Sequence, residues 1–111
     1  MQVIDKATVE ELKQMSGADF INELIDAFLE DAPHMIENMR TAAAVADVET
    51  FRRNAHSLKS NAYTFGAAEL GELARQLEIM GRENNLEIGN RLEILKEAFE
   101  TVAQELRGLR V

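Results

Sequence analysis

Apolar residues recur every three or four positions through nearly the whole chain, a period that suits helices packed by one face and leaves no room for half-buried strands. The successive stripes are Phe20, Leu24, Ile25, Phe28 and Leu29; Met35, Ile36, Met39, Ala42 and Ala43, with Val45 as the outermost candidate; Phe51, Ala55, Leu58, Ala62 and Phe65; Leu70, Leu73, Ala74, Leu77 and Met80; and Ile88, Leu92, Leu95, Phe99, Val102 and Leu106. A single proline and six dispersed glycines leave these stretches long. The expected fold is all-α, an antiparallel four-helix bundle with an additional short N-terminal helix.

Local signals place the boundaries. Thr8 followed by Glu11 has capping-box spacing and predicts a first helix to about Met15, broken by Ser16 and Gly17. The next stripe runs from Ala18 to Asp31. Pro33 suits a first helical turn better than an interior, so a break is expected near Asp31 and Ala32, either between two helices or as a kink in one that continues to about Ala46, the kink being preferred. Asp47 is the N-cap candidate of a helix that ends near Phe65 at Gly66. Another spans about Ala68 to Arg82 and ends through Gly81, Asn84 and Asn85. Met15, Met35, Met39 and Met80 fall at core-like positions. With 111 residues, 46% of them hydrophobic, one domain over residues 1–111 is the expectation.

Composition removes several classes of function. Without cysteine there is no disulfide framework, thiol nucleophile or zinc–thiolate site. The formal charge of −8 disfavours nucleic acid and anionic lipid. No apolar run approaches the roughly 18 residues of a membrane span, and Asp5, Glu10 and Glu11 stand where a leader would be basic. A cytoplasmic monomer is expected. Neither His34 nor His56 has Glu three residues before it, so a di-iron bundle lacks its ligands and no bound metal or cofactor is expected. Gly66 and Gly71 follow no strand and make no phosphate loop.

The polar face of the third long stripe is more informative. At about 100° per residue, His56 falls nearly opposite Leu58. Arg52 lies one turn before it, Lys59 and Ser60 one turn after, Tyr63 two turns after, and Arg53 and Glu49 on the flanks. A neutral imidazole offers a nucleophilic nitrogen near physiological pH, and neighbouring cations can attract and steady a dianionic phosphoryl group. That combination suits phosphoryl acceptance, although an ordinary solvated histidine would share the same pattern. His34, behind Pro33, reads as a surface histidine.

His56, Leu58 and Lys59, with Phe65, Gly66 and Ala67 at the right distance, resemble the signature of histidine-containing phosphotransfer (HPt) domains: His-x-Leu-Lys-Gly, then an apolar residue before Gly-Ala. Six positions agree over twelve residues. The resemblance implies a helical bundle in which His56 takes a phosphoryl group from one receiver-domain aspartate and passes it to another, with Lys59 as the nearby positive charge. The family's glycine after the lysine is Ser60 here, a departure that bears on how closely a receiver can dock. In the family a carboxylate or amide on the next helix orients the histidine, which implies Glu78, with Arg75 and Gln76 as weaker candidates. If the two helices fold back about Gly66 and Ala67, Glu78 and His56 reach similar depths, and a bond to Nδ1 would leave Nε2 free.

The chain is thus expected to be a phosphocarrier without kinase activity of its own. Its partners would be response-regulator receiver domains, which would carry the magnesium, and a hybrid histidine kinase. Arg52, Arg53, Ser60, Tyr63, Arg75 and Gln76 would border the interface. Two alternatives stand beside this reading. A helical adaptor would bind receivers or partner helices without transfer. A dimeric sensor-kinase phosphoacceptor would carry an acidic residue after the histidine and a proline five positions on, where this chain has Ser57 and Asn61.

Overall fold

The computed structural model describes residues 4–110; residues 1–3 and 111 of the expected domain lie outside it. Among the described residues there are five helices and no strand: α1 (Lys6–Ser16), α2 (Ala18–Ala44), α3 (Val48–Thr64), α4 (Ala68–Arg82) and α5 (Arg91–Leu109). None is long and apolar enough to cross a membrane.

The first helix starts earlier than its capping-box spacing predicts. Asp5, in extended conformation, accepts hydrogen bonds from the Ala7 backbone N–H and the Thr8 hydroxyl, both at 3.0 Å. Thr8 is therefore a donor inside the first turn, and Asp5 is the cap.

No break divides α2, which runs unbroken through Pro33 and corrects the two-helix alternative. Proline removes one backbone donor, but Pro33 lies on the exposed side, while Phe28, Ala32, Ile36 and Met39 hold the opposite face in the core. At 1.5 Å per residue its 27 residues span about 40 Å. That length matches the 42 Å long axis of the molecule.

The inward face of α2 is centred on Ile21, Ile25, Phe28 and Ala32. That rotation leaves Phe20 at 46% exposure and reduces Leu24 and Leu29 to flanking contacts, in place of the stripe expected from sequence. Met15 is also not core: it sits in the last turn of α1, beyond the buried Val9, and is 84% exposed. Val45 follows the end of α2 and is exposed, whereas Met39 is buried and Met35 and Met80 pack at the core's margin.

Helix α3 packs most extensively on α4 and next on α2, and α5 closes the bundle by touching both α4 and α2. Cross-helix contacts show the neighbours to be antiparallel. Asn38 bonds to Asn54, and Phe28 stacks on Phe65, between α2 and the end of α3. Arg40 pairs with Glu93, and Asp26 with Arg110, at opposite ends of α2 and α5. The Phe28 ring lies 5.3 Å from Phe65 and 5.6 Å, edge-on, from Phe99, joining three parts of the bundle in one aromatic cluster.

Three helices end alike. Backbone bonds from Asp47 to Ala42, from Ala67 to Ala62 and from Asn85 to Met80 each span six residues, with the shorter inner bond beside them. Each places a left-handed residue at the turn, Ala46, Gly66 and Asn84 respectively. Asp47 then caps α3 by accepting from Thr50 N–H at 3.2 Å. This compact α3–α4 turn sets the register of the two site-bearing helices.

Candidate functional site

Leu58 is fully buried, so the opposite side of α3 must face outward, and the His56 side chain is 58% exposed. The antiparallel turn at Gly66 brings α4 beside it. Glu78 Oε2 lies 2.6 Å from His56 Nδ1, and Glu78 Oε1 lies 2.7 Å from Lys59 Nζ. One carboxylate therefore ties together two residues of α3 that stand one turn apart.

Glu78 is only 2% exposed and is the one charged residue within the buried set of the described chain. Burial pushes its carboxyl pKa up, but hydrogen bonds and charge from Lys59 and His56 outweigh this and hold it below the ordinary value of 4.5. Glu78 is ionised at neutral pH. An ionised carboxylate only accepts, so the proton of a neutral His56 ring resides on Nδ1 and the lone pair on Nε2. Nε2, across the ring, is the atom available to an electrophile.

Lys59 is partly buried, with 24% of its side chain exposed, and is committed to Glu78. A third partner, unforeseen from the motif, reaches the same carboxylate: Arg82 Nη2 lies 3.5 Å from Glu78 Oε2. Its signal in the sequence is the four-residue spacing from Glu78, which puts both side chains on one face of α4.

Apart from Ser60, the other expected site residues divide into two groups around this centre. Arg52 donates two hydrogen bonds to Glu49, the shorter 2.6 Å, and Arg53 lies 3.7 Å from the same carboxylate. Arg75 is bound to Glu72 rather than to His56, with Gln76 and Tyr63 also directed to Glu72. Arg75 and Gln76 therefore do not orient the histidine. Tyr63 lies across Gly71: a Cβ there would come within 2.7 Å of its ring, so only glycine admits this close approach. Ser60 is exposed on the outer face of α3, and its carbonyl accepts from Thr64. His34 is exposed on α2 and has no part in the cluster.

Comparisons with known proteins bear on the family and the fold. The Hpt domain family model matches residues 23–108. The phosphorelay protein LuxU of Vibrio harveyi is 28% identical over 85 residues, covering 77% of this chain and 75% of LuxU. The sensor protein TorS of Escherichia coli (strain K12) is 31% identical over 77 residues, which are 69% of this chain and 8% of TorS. The crystal structure of histidine-containing phosphotransfer protein B (HptB) from Pseudomonas aeruginosa PAO1 superposes with a TM-score of 0.87 at 22% identity, covering 97% of this chain and 94% of that one, and shares the fold. With the family match extending from α2 to the end of α5, the chain belongs to the Hpt domain family.

Proposed function

We propose that this Hpt domain relays a phosphoryl group between receiver aspartates through His56. The observation that carries the reading is the 2.6 Å contact that fixes Nδ1 on a buried carboxylate and leaves Nε2 outward. In the first step the Nε2 lone pair attacks phosphorus of a receiver's aspartyl phosphate. The N–P bond forms as the acyl P–O bond breaks, and the aspartate carboxylate leaves with the electron pair. Because Nδ1 keeps its proton, the phosphorylated ring becomes an imidazolium.

Glu78 stabilises that new positive charge through the same hydrogen bond. Retaining the proton also keeps the step reversible: when a second receiver's aspartate attacks phosphorus, the N–P electron pair returns to Nε2 and restores the neutral ring. Lys59 keeps Glu78 ionised in its buried position. Arg52, Arg53, Ser60, Tyr63, Arg75 and Gln76 border the face that a receiver approaches. The receivers supply the aspartate and the magnesium, and the domain itself has no kinase activity.

The test is incubation with phosphorylated receiver domains. Wild type and His34→Gln are expected to acquire acid-labile, base-stable label, whereas His56→Gln is expected to acquire none. Receiver binding without any label on the wild type would favour an adaptor instead. Loss of label in His34→Gln with retention in His56→Gln would overturn the site.

A further inference from the structure

We propose that the groove between α4 and α5 is a docking site for a cationic amphipathic helix of a partner protein, on the flank of the bundle turned away from His56. Shape, charge and position carry the inference.

The groove has a volume of about 210 Å³. Buried Leu70 and Val102 form its floor and half-buried Leu73 and Ala98 its walls. At its edge stands Ile94, 42% exposed and the one large apolar side chain of α5 left in solvent. Pockets for drug-sized ligands run to roughly 300–1,000 Å³, so this groove is better matched to one or two aliphatic side chains than to a cofactor. Ile94, Ala98 and Thr101 recur at helical spacing along α5, making a strip about 10 Å long, two turns of a helix laid against it.

The only charged residues at the groove are carboxylates. Glu69 and Glu97 are exposed, and among the described residues neither carboxylate has a hydrogen-bond or ion-pair partner, whereas Glu72 and Glu93 are bound to Arg75 and Arg40. Glu69 suits the first turn of α4, where the helix dipole favours an anion. Glu97 has no such support. It lies within α5 one turn after Glu93 and one turn before Glu100, where like charges weaken a helix. Lysine or arginine from a partner would relieve that repulsion. An apolar cleft with an anionic rim therefore selects a helix with leucine or isoleucine at every third or fourth position and basic residues beside them. A second copy of this chain fits poorly, because its formal charge is −8.

At about 100° per residue, Leu73 and Glu69 lie about 140° and 180° from Glu78 around α4. Glu78 turns toward α3 and His56, so the groove opens on the other flank of α4. A helix seated there leaves His56 uncovered, and the site is independent of phosphoryl transfer.

The probe is a synthetic peptide of about 14 residues with leucine at every third or fourth position and lysine elsewhere. It is titrated into the 15N-labelled chain and followed by amide shifts. Saturable shifts are expected at Leu73, Ile94, Ala98 and Thr101, with none at His56. Ile94→Ser and Glu97→Gln, both changes of exposed side chains, should each weaken binding about fivefold. Glu30→Gln, which removes the same charge from an exposed position on α2, should change it less than about twofold. A peptide with serine in place of leucine should bind at least about tenfold more weakly. Equal weakening in Glu30→Gln and Glu97→Gln, or shifts spread over every acidic helix, would reduce the contact to unspecific charge attraction and overturn the site. Shifts centred on His56, or no binding, would overturn it as well. In sedimentation the wild type is expected to be monomeric; a dimer that Ile94→Ser abolishes would make the groove an interface between copies and defeat the partner assignment.

Discussion

Among single residues, Glu78 has the largest consequences. It is buried, charged and shared by an imidazole, an ammonium and a guanidinium. Glu78→Gln keeps the shape but leaves Lys59 without its countercharge and offers an imidazolium no anion. Urea denaturation should show a loss of about 2 kcal/mol, and label transfer to His56 should fall about tenfold. Unchanged transfer would remove Glu78 from the mechanism. Its lowered pKa also fixes a direction with pH. Above 4.5 the carboxylate is ionised folded and unfolded, and its contribution is complete; as the pH falls, the unfolded chain takes up the proton first, and the contribution disappears through the lower folded value. Stability of the wild type should therefore fall more steeply on acidification than that of Glu78→Gln. The sequence identified Glu78 only through the family resemblance, since a glutamate on a helix is ordinarily a solvated charge. Its burial follows from the packing of α3 on α4.

At the level of elements, the helix ends separate what local sequence can specify from what it cannot. Gly66 in the left-handed position was legible because glycine carries no penalty there. Ala46 occupies the same position at φ 57° without that freedom, which no local signal announces. Ala46→Gly is expected to stabilise the fold by about 0.5–1 kcal/mol. Gly66→Ala should cost about 2 kcal/mol or more, because its Cβ would stand 2.6 Å from Asp5 Cβ and 3.0 Å from the Asp5 backbone nitrogen. Thermal or chemical denaturation of the two variants checks both signs, and equal effects would contradict the assigned turns. The continuity of α2 through Pro33 was not decidable locally either. Proline weakens a helix by a fixed local amount, and the buried residues on either side determine whether the helix survives it.

Across the whole molecule, the aromatic cluster couples α2 to the end of α3 and to α5 while standing apart from His56. Phe28→Ala should lose about 3–5 kcal/mol by denaturation, yet transfer per folded molecule should match the wild type. A selective loss of transfer would show that bundle packing positions the site more finely than the Glu78 contact does. The spacing of apolar residues determined the helical class and the outward direction of His56, because a period near 3.6 fixes which residues share a face, and the cap and turn residues Asp47, Gly66 and Asn84 gave the approximate spans of α3 and α4, whereas Ile88, expected on the last helix, precedes α5. It could not determine the rotation of α2 that exposes Phe20, or the meeting of Lys59 on α3 with the Glu78 carboxylate of α4. Those depend on distances between segments far apart in the chain, and only the packing of antiparallel helices at a particular register creates them.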